Sequence, residues 1–384
     1  MIRGSIRVLV ALLLCLLACA CLAPPASAQD ADTSAQLDAD SRKLLDVLEF
    51  LRARNARDFA ILSPNGIDAA EFVDIGGIPQ WITIRGMDRD NPVLLFLHGG
   101  PGDATNPYGY ATFRPWLKDF SVVQWDQRGA GRTLGRNGAD VASTISIERM
   151  VDDGIELAEH LRQSLGKERI VLVGHSWGSI LGALMAKARP DLFHALVGTG
   201  QVADPARSYD VAWRALLAKA EELGDETAIE ELREVGPPPY RGGRGYGVQR
   251  KWSNRFEGAD RFLSSTLGLA LTAPGYTLRD VHDWLEGQGL SAEPLVPQTS
   301  ALTSSDLAGE FELPVFVIQG AEDFTTPTNL AEAFVDSIQA PKKGFVAIPG
   351  GHFAVFMDPE AFRKVLVALV VPLTRGLTPA APRR

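Results

Sequence analysis

Short apolar runs, each bounded by glycine, proline or charged residues, recur along this chain at 71–75, 79–84, 93–97, 121–125, 170–173, 195–197, 315–318 and 345–348. Runs such as Val93-Leu94-Leu95-Phe96-Leu97 and Ile170-Val171-Leu172-Val173 show no polar alternation, so strands built from them must be covered on both faces. Between several of them the pattern changes to that of a helix. The segment 146–165 opens with Ser146, a side chain suited to capping, and closes at Gly166. Residues Leu44, Leu45, Val47, Leu48 and Leu51 have the spacing of an amphipathic helix over 41–54. Alternation of strand and helix predicts an α/β fold, a mostly parallel sheet with helices on both faces. From 201 to 310 that rhythm breaks. Helical patterns, Gly236-Pro237-Pro238-Pro239 and a glycine-rich stretch at 241–247 replace the strand runs, which predicts a helical cap inserted between two strands. The expected layout is a core from 29 to 200, a cap from 201 to 310, and the core resumed from 311 to 384.

The amino-terminal stretch has a different logic. Arg3 and Arg7 precede an apolar run at 8–22, then Pro24-Pro25-Ala26-Ser27-Ala28. This pattern predicts a signal peptide over 1–28, cleaved after Ala28, and export to the periplasm or beyond. The run is too short and wrongly flanked for a stable membrane span. Leu16-Leu17-Ala18-Cys19 loosely resembles a lipoprotein cleavage site, so lipid anchoring at Cys19 is the lesser alternative. Cys15, Cys19 and Cys21 are the chain's only cysteines, and cleavage would remove all three. A mature chain without cysteine excludes disulfides, a thiol nucleophile and thiolate metal sites. Loss of Arg3 and Arg7 also takes the formal charge from −9 to −11. An acidic protein without a basic block is unsuited to nucleic acid or to anionic membrane surfaces.

Candidate chemistry centres on Gly174-His175-Ser176-Trp177-Gly178, set directly behind the run at 170–173 and ahead of the small-residue helical pattern that starts at Ser179. A buried strand that ends in G-x-S-x-G and opens into a helix throws its serine into a sharp turn, exposing the hydroxyl as a nucleophile. A serine hydroxyl needs a base, and the base needs a carboxylate to hold its tautomer. Behind such an elbow the partners follow in the order serine, acid, histidine. His194 and His282 also follow Ser176, but one sits at a helix end and the other inside the expected cap. His352, in Pro349-Gly350-Gly351-His352-Phe353 just after the last apolar run, is the expected base. Asp323 follows the run at 315–318 and is the expected acid, with Glu322 as competitor and Asp306 and Asp336 less suitably placed. Oxyanion donors are expected from the main chain, one N–H from Trp177 and one from Gly100, with Gly99 in reserve, in the loop His98-Gly99-Gly100-Pro101-Gly102. His98 is expected to fix that loop.

Together with Trp125-Asp126-Gln127-Arg128-Gly129-Ala130-Gly131-Arg132, these motifs resemble the α/β-hydrolase fold and, more narrowly, the proline iminopeptidase (prolyl aminopeptidase) family of serine peptidases. The likeness spans about residues 70–370, apart from much of the cap. It implies a triad of Ser176, Asp323 and His352 and no metal or organic cofactor. That family often has glycine at the place of His175 and serine at the place of Thr133. Its cap supplies glutamates that bind a free amino group, which by resemblance points to Glu257, although the segment Trp252-Ser253-Asn254-Arg255-Phe256-Glu257-Gly258 is one residue longer than the family's. Asp126 and Arg128 are expected to pair, as a salt bridge that supports the site floor. The expected activity is release of an amino-terminal residue, proline included, from small peptides. Carboxylesterase, lactonase or amidase action on a small non-peptide substrate is the alternative, and a catalytically silent binder on the same fold is the third.

Overall fold

The computed structural model describes residues 39–240 and 243–374. The expected signal peptide with Cys19 lies outside the described residues. The chain divides into two units, 1–50 and 51–384. Helix α1 (Ala39–Asp58) supplies everything described of the first.

In the second unit eight strands form one sheet: β1 (Ile67–Ile75), β2 (Ile78–Gly86), β3 (Val93–Leu97), β4 (Ser121–Trp125), β5 (Ile170–His175), β6 (Phe193–Thr199), β7 (Val315–Gly320) and β8 (Lys343–Ile348). Their order is β1-β2-β4-β3-β5-β6-β7-β8. The first hairpin and the β2–β4 pair are antiparallel, and every pair from β4 to β8 is parallel. The apolar runs thus became strands, and the period-2 rule explains their content. Leu95, Leu97 and Leu172 belong to the cluster that includes Leu157, Leu181 and Met185. Phe96, one position away, turns to the other face and meets Phe113, Trp116 and Phe356.

Helices α2 (Asn106–Thr112), α3 (Gly131–Asn137), α4 (Ile147–Ser164) and α5 (Trp177–Ala188) connect the first six strands. Helix α4 starts where expected, Ser146 accepting the N–H of Arg149 at 3.1 Å. Between β6 and β7 come α6 (Pro205–Leu223), α7 (Glu226–Val235), α8 (Gly243–Glu257), α9 (Ala259–Leu271) and α10 (Leu278–Ala301). These helices form the cap. It is tied down by Arg132 donating to Asp280 at 2.9 Å, by Ser291 donating to the carbonyl of Gly129 at 3.0 Å, and by Phe262 stacked on Phe356. Helices α11 (Thr328–Ser337) and α12 (Pro359–Thr374) complete the unit. Among the described residues no helix is long and apolar enough to cross a membrane.

Candidate active site

The segment 174–178 forms the turn that joins β5 to α5. Ser176 adopts φ 54°, the only positive φ among the described non-glycine residues. Such a conformation costs roughly 1–3 kcal/mol and persists only where surroundings impose it. Here the hydrogen bond from Ser176 N to Thr199 O (3.0 Å) and that from Ser179 N to Ser176 O (2.8 Å) hold the turn. The flanking glycines are dictated by close approach. A Cβ on Gly178 would lie 2.1 Å from Leu97 O, and one on Gly174 2.2 Å from Gly178 O.

Three loops bring the chemistry together. Ser176 Oγ lies 3.0 Å from His352 Nε2. His352 Nδ1 lies 3.0 and 3.3 Å from the two oxygens of Asp323. Since a carboxylate only accepts, Nδ1 carries the proton and Nε2 is free to take the serine's. Asp323 is itself oriented by the N–H groups of Thr325 and Thr326 (2.9 and 2.7 Å), Gln319 Nε2 (2.8 Å) and Thr326 Oγ1 (2.8 Å). Both His352 and Asp323 are buried, while Ser176 is half-buried at the floor of a cavity. The competing residues sit elsewhere. Glu322 is exposed and binds Lys219, Asp306 caps a helical turn, Asp336 is exposed, and His282 faces Asp283.

Gly100 lines the same cavity, and Trp177 occupies the first position of α5, where an N–H has no partner within its helix. Gly99 packs behind the elbow, a Cβ there lying 3.1 Å from Ser176 Cβ. His98 Nδ1 donates to Gly99 O at 2.9 Å, its Nε2 accepts from Gln127 N at 3.3 Å, and burial pushes its pKa down to about 4. A neutral ring with this tautomer holds the loop. The Gln127 side chain then receives Trp177 Nε1 at 3.0 Å, linking the two expected oxyanion loops. Gln127 stood in a recognised motif, yet only its contacts reveal this connection.

One expectation gives way. Asp126 and Arg128 do not pair, because side chains two apart in this loop leave in different directions. Arg128 Nε meets Asp153 at 2.7 Å, both fully enclosed, whereas Asp126 accepts from Asn106 Nδ2 (2.6 Å) and Arg132 N (2.8 Å). Glu257 is not among the described residues lining the cavity. Its oxygens accept from the N–H of His352 (2.7 Å), the N–H of Phe324 (2.9 Å) and Thr325 Oγ1 (3.3 Å). It stitches the base loop to the acid loop from the cap. Burial, then the neighbouring Asp323 charge, raises its pKa to about 7 against the opposing pull of His352 and the two main-chain donors. His175, where the resembled family often has glycine, lies against the base, its Nε2 donating to His352 O at 3.0 Å. Burial and the adjacent His352 hold it well below the ordinary imidazole range, so it stays neutral.

The cavity measures about 370 Å³, at the small end of ligand sites. Its walls come from the loops after β3, β5, β6 and β7 and from the cap, with Tyr246, Gln249, Arg250 and Ser253 of α8 among the lining residues. Their spacing of i, i+3, i+4 and i+7 is one face of a helix.

A family model described as alpha/beta hydrolase fold matches residues 92–359. The chain is 28% identical to a probable aminopeptidase, YbaC, of Bacillus subtilis (strain 168), over 77% of this chain and 93% of that one. It is 22% identical to a proline iminopeptidase of Lactobacillus delbrueckii subsp. bulgaricus, over 77% and 95%. Among solved structures, a proline iminopeptidase-related protein from Thermus thermophilus superposes with a TM-score of 0.57 at 20% identity, covering 80% of this chain and 99% of that one.

Proposed function

The chain belongs to the α/β-hydrolase fold family and is a hydrolase, and we propose that it is an exported serine hydrolase of the aminopeptidase type. Ser176 Oγ attacks the substrate carbonyl while His352 Nε2 takes its proton, and Asp323 steadies the imidazolium. The oxygen that becomes negative is met by the N–H groups of Gly100 and Trp177. Collapse of that intermediate breaks the C–N bond, and His352 returns the proton to the departing amine. Water, deprotonated by the same imidazole, then releases the acyl group and restores Ser176. The observation that carries this reading is the unbroken chain from Ser176 Oγ through His352 to Asp323 at the floor of a cavity.

The aminopeptidase element rests on the likeness to an aminopeptidase and a proline iminopeptidase. Export rests on the pattern of residues 1–28. One observation favours a second reading, an esterase, lactonase or amidase. No carboxylate is among the described residues lining the cavity, and Glu257 is already engaged by main-chain donors. Turnover of a proline or other aminoacyl arylamide, set beside a short acyl ester, separates the two. Arylamide cleavage supports the aminopeptidase; ester cleavage with arylamides untouched supports the second reading and refutes the first.

A further inference from the structure

We infer that the cavity beside Ser176 takes a substrate bearing a carboxylate and that Arg250 is the residue that reads it. This rests on the serine-hydrolase reading of the same site and narrows its substrate class. Of the described residues that line the cavity, only Arg250 carries a formal charge. Four other cations of the cap are paired: Arg214 with Asp210, Arg233 with Glu221, Arg244 with Glu234 and Lys251 with Glu231. No described residue engages the Arg250 guanidinium by hydrogen bond or ion pair, although its field reaches His175 and Tyr209 and opposes the rise that burial causes in Asp103. Asp103 is not among the lining residues and lies 3.3 Å from Gln288 Nε2. A cation left open in the cavity that holds Ser176, beside the hydroxyl groups of Ser253 and Tyr246, matches a carboxylate and disfavours an ammonium.

Two sources supply that chemistry. One is the free carboxyl end of a very short peptide, on the leaving side; the other is a dicarboxylic acyl group.

Two substrate pairs test the assignment in the parent, Arg250→Met and Arg250→Glu: a dipeptide against its C-terminal amide, and the p-nitrophenyl monoester of glutaric acid against p-nitrophenyl butyrate. The parent is expected to favour the anionic member of one pair about tenfold or more in kcat/KM, and the pair that responds locates the carboxylate. That ratio should fall to about one in Arg250→Met and below one in Arg250→Glu. Equal use of both members of each pair by the parent, or a preference that survives Arg250→Glu, overturns the assignment. If neither dipeptide form is cleaved, the aminopeptidase reading fails and the ester pair still decides Arg250. If peptides are cleaved without regard to charge and the esters behave alike, the Arg250 assignment fails alone.

Discussion

Replacing Glu257 by glutamine separates a residue that holds the triad from one that holds the substrate. Glu257 is 8% exposed, and its carboxylate accepts from the N–H groups of His352 and Phe324, one on each oxygen. Glutamine has one acceptor oxygen, so one of these N–H groups is left facing an NH₂. An unpaired buried donor costs about 1–3 kcal/mol, enough to move the loop that carries it. A displacement on the order of 1 Å at a reacting group can lower the rate up to about 100-fold. Glu257→Gln is therefore expected to lower kcat about 10- to 100-fold, for ester and arylamide substrates alike, with KM within about threefold. The stability profile gives an independent reading. Because the folded-state pKa of Glu257 is raised from 4.5 to about 7, its neutral form is favoured in the fold. Its contribution to stability is fully present below about 4.5 and is lost as pH rises through about 7. Glutamine does not titrate, so urea unfolding should show the parent losing about 2–3 kcal/mol more than the variant between pH 5 and pH 8. Parallel stability curves would refute the electrostatic argument. An unchanged kcat, with KM raised only for substrates that carry a free amine, would instead make Glu257 the amine anchor that the family resemblance suggested.

Three further outcomes follow from particular contacts. Gly200→Ala is expected to abolish most turnover, since the residue has φ +51° and a Cβ there would lie 2.8 Å from His352 Cε1; activity within threefold of the parent would contradict this. Gln127→Leu removes the side-chain link from the carbonyl of His98 through Gln127 to Trp177 Nε1, and should lower kcat about tenfold or more with little change in KM; a KM effect alone would show that Gln127 acts on substrate binding. Arg128→Met leaves Asp153 with only Arg149 and Gln80 at 2.8 Å each and should destabilise the fold by about 3 kcal/mol; an unchanged urea midpoint would contradict a buried, stabilising pair.

The centre of the sheet was legible because β3 to β7 are mostly apolar and buried along nearly their whole length, whereas the outer strands β1, β2 and β8 mix polar with apolar positions. The strand ends shifted by a few residues: β1 begins at Ile67 and β6 at Phe193, where pairing with neighbours extends the strand past the apolar signal. Ser176 was legible for the same reason that its glycines are irreplaceable, since only one turn geometry fits between Leu97 and α5. What the sequence could not show was which distant groups a polar side chain meets. Glu257 resembled a substrate anchor by its place near a tryptophan, yet its partners lie 67 and 95 positions away. The direction of Arg128 toward Asp153 depends on a turn whose path no local pattern encodes. Arg250 did leave a trace, in the 246, 249, 250, 253 spacing of one helical face, but that trace gains meaning only once the cavity beneath it is known.

The proposed chemistry begins with attack by the Ser176 hydroxyl, and the later steps depend on the ester it forms. Steady-state hydrolysis of the best ester or arylamide substrate by purified Ser176→Ala, folded as judged by its urea midpoint, measures this directly. A fall of about 10⁴-fold or more in kcat is expected. Turnover within tenfold of the parent would place the nucleophile elsewhere.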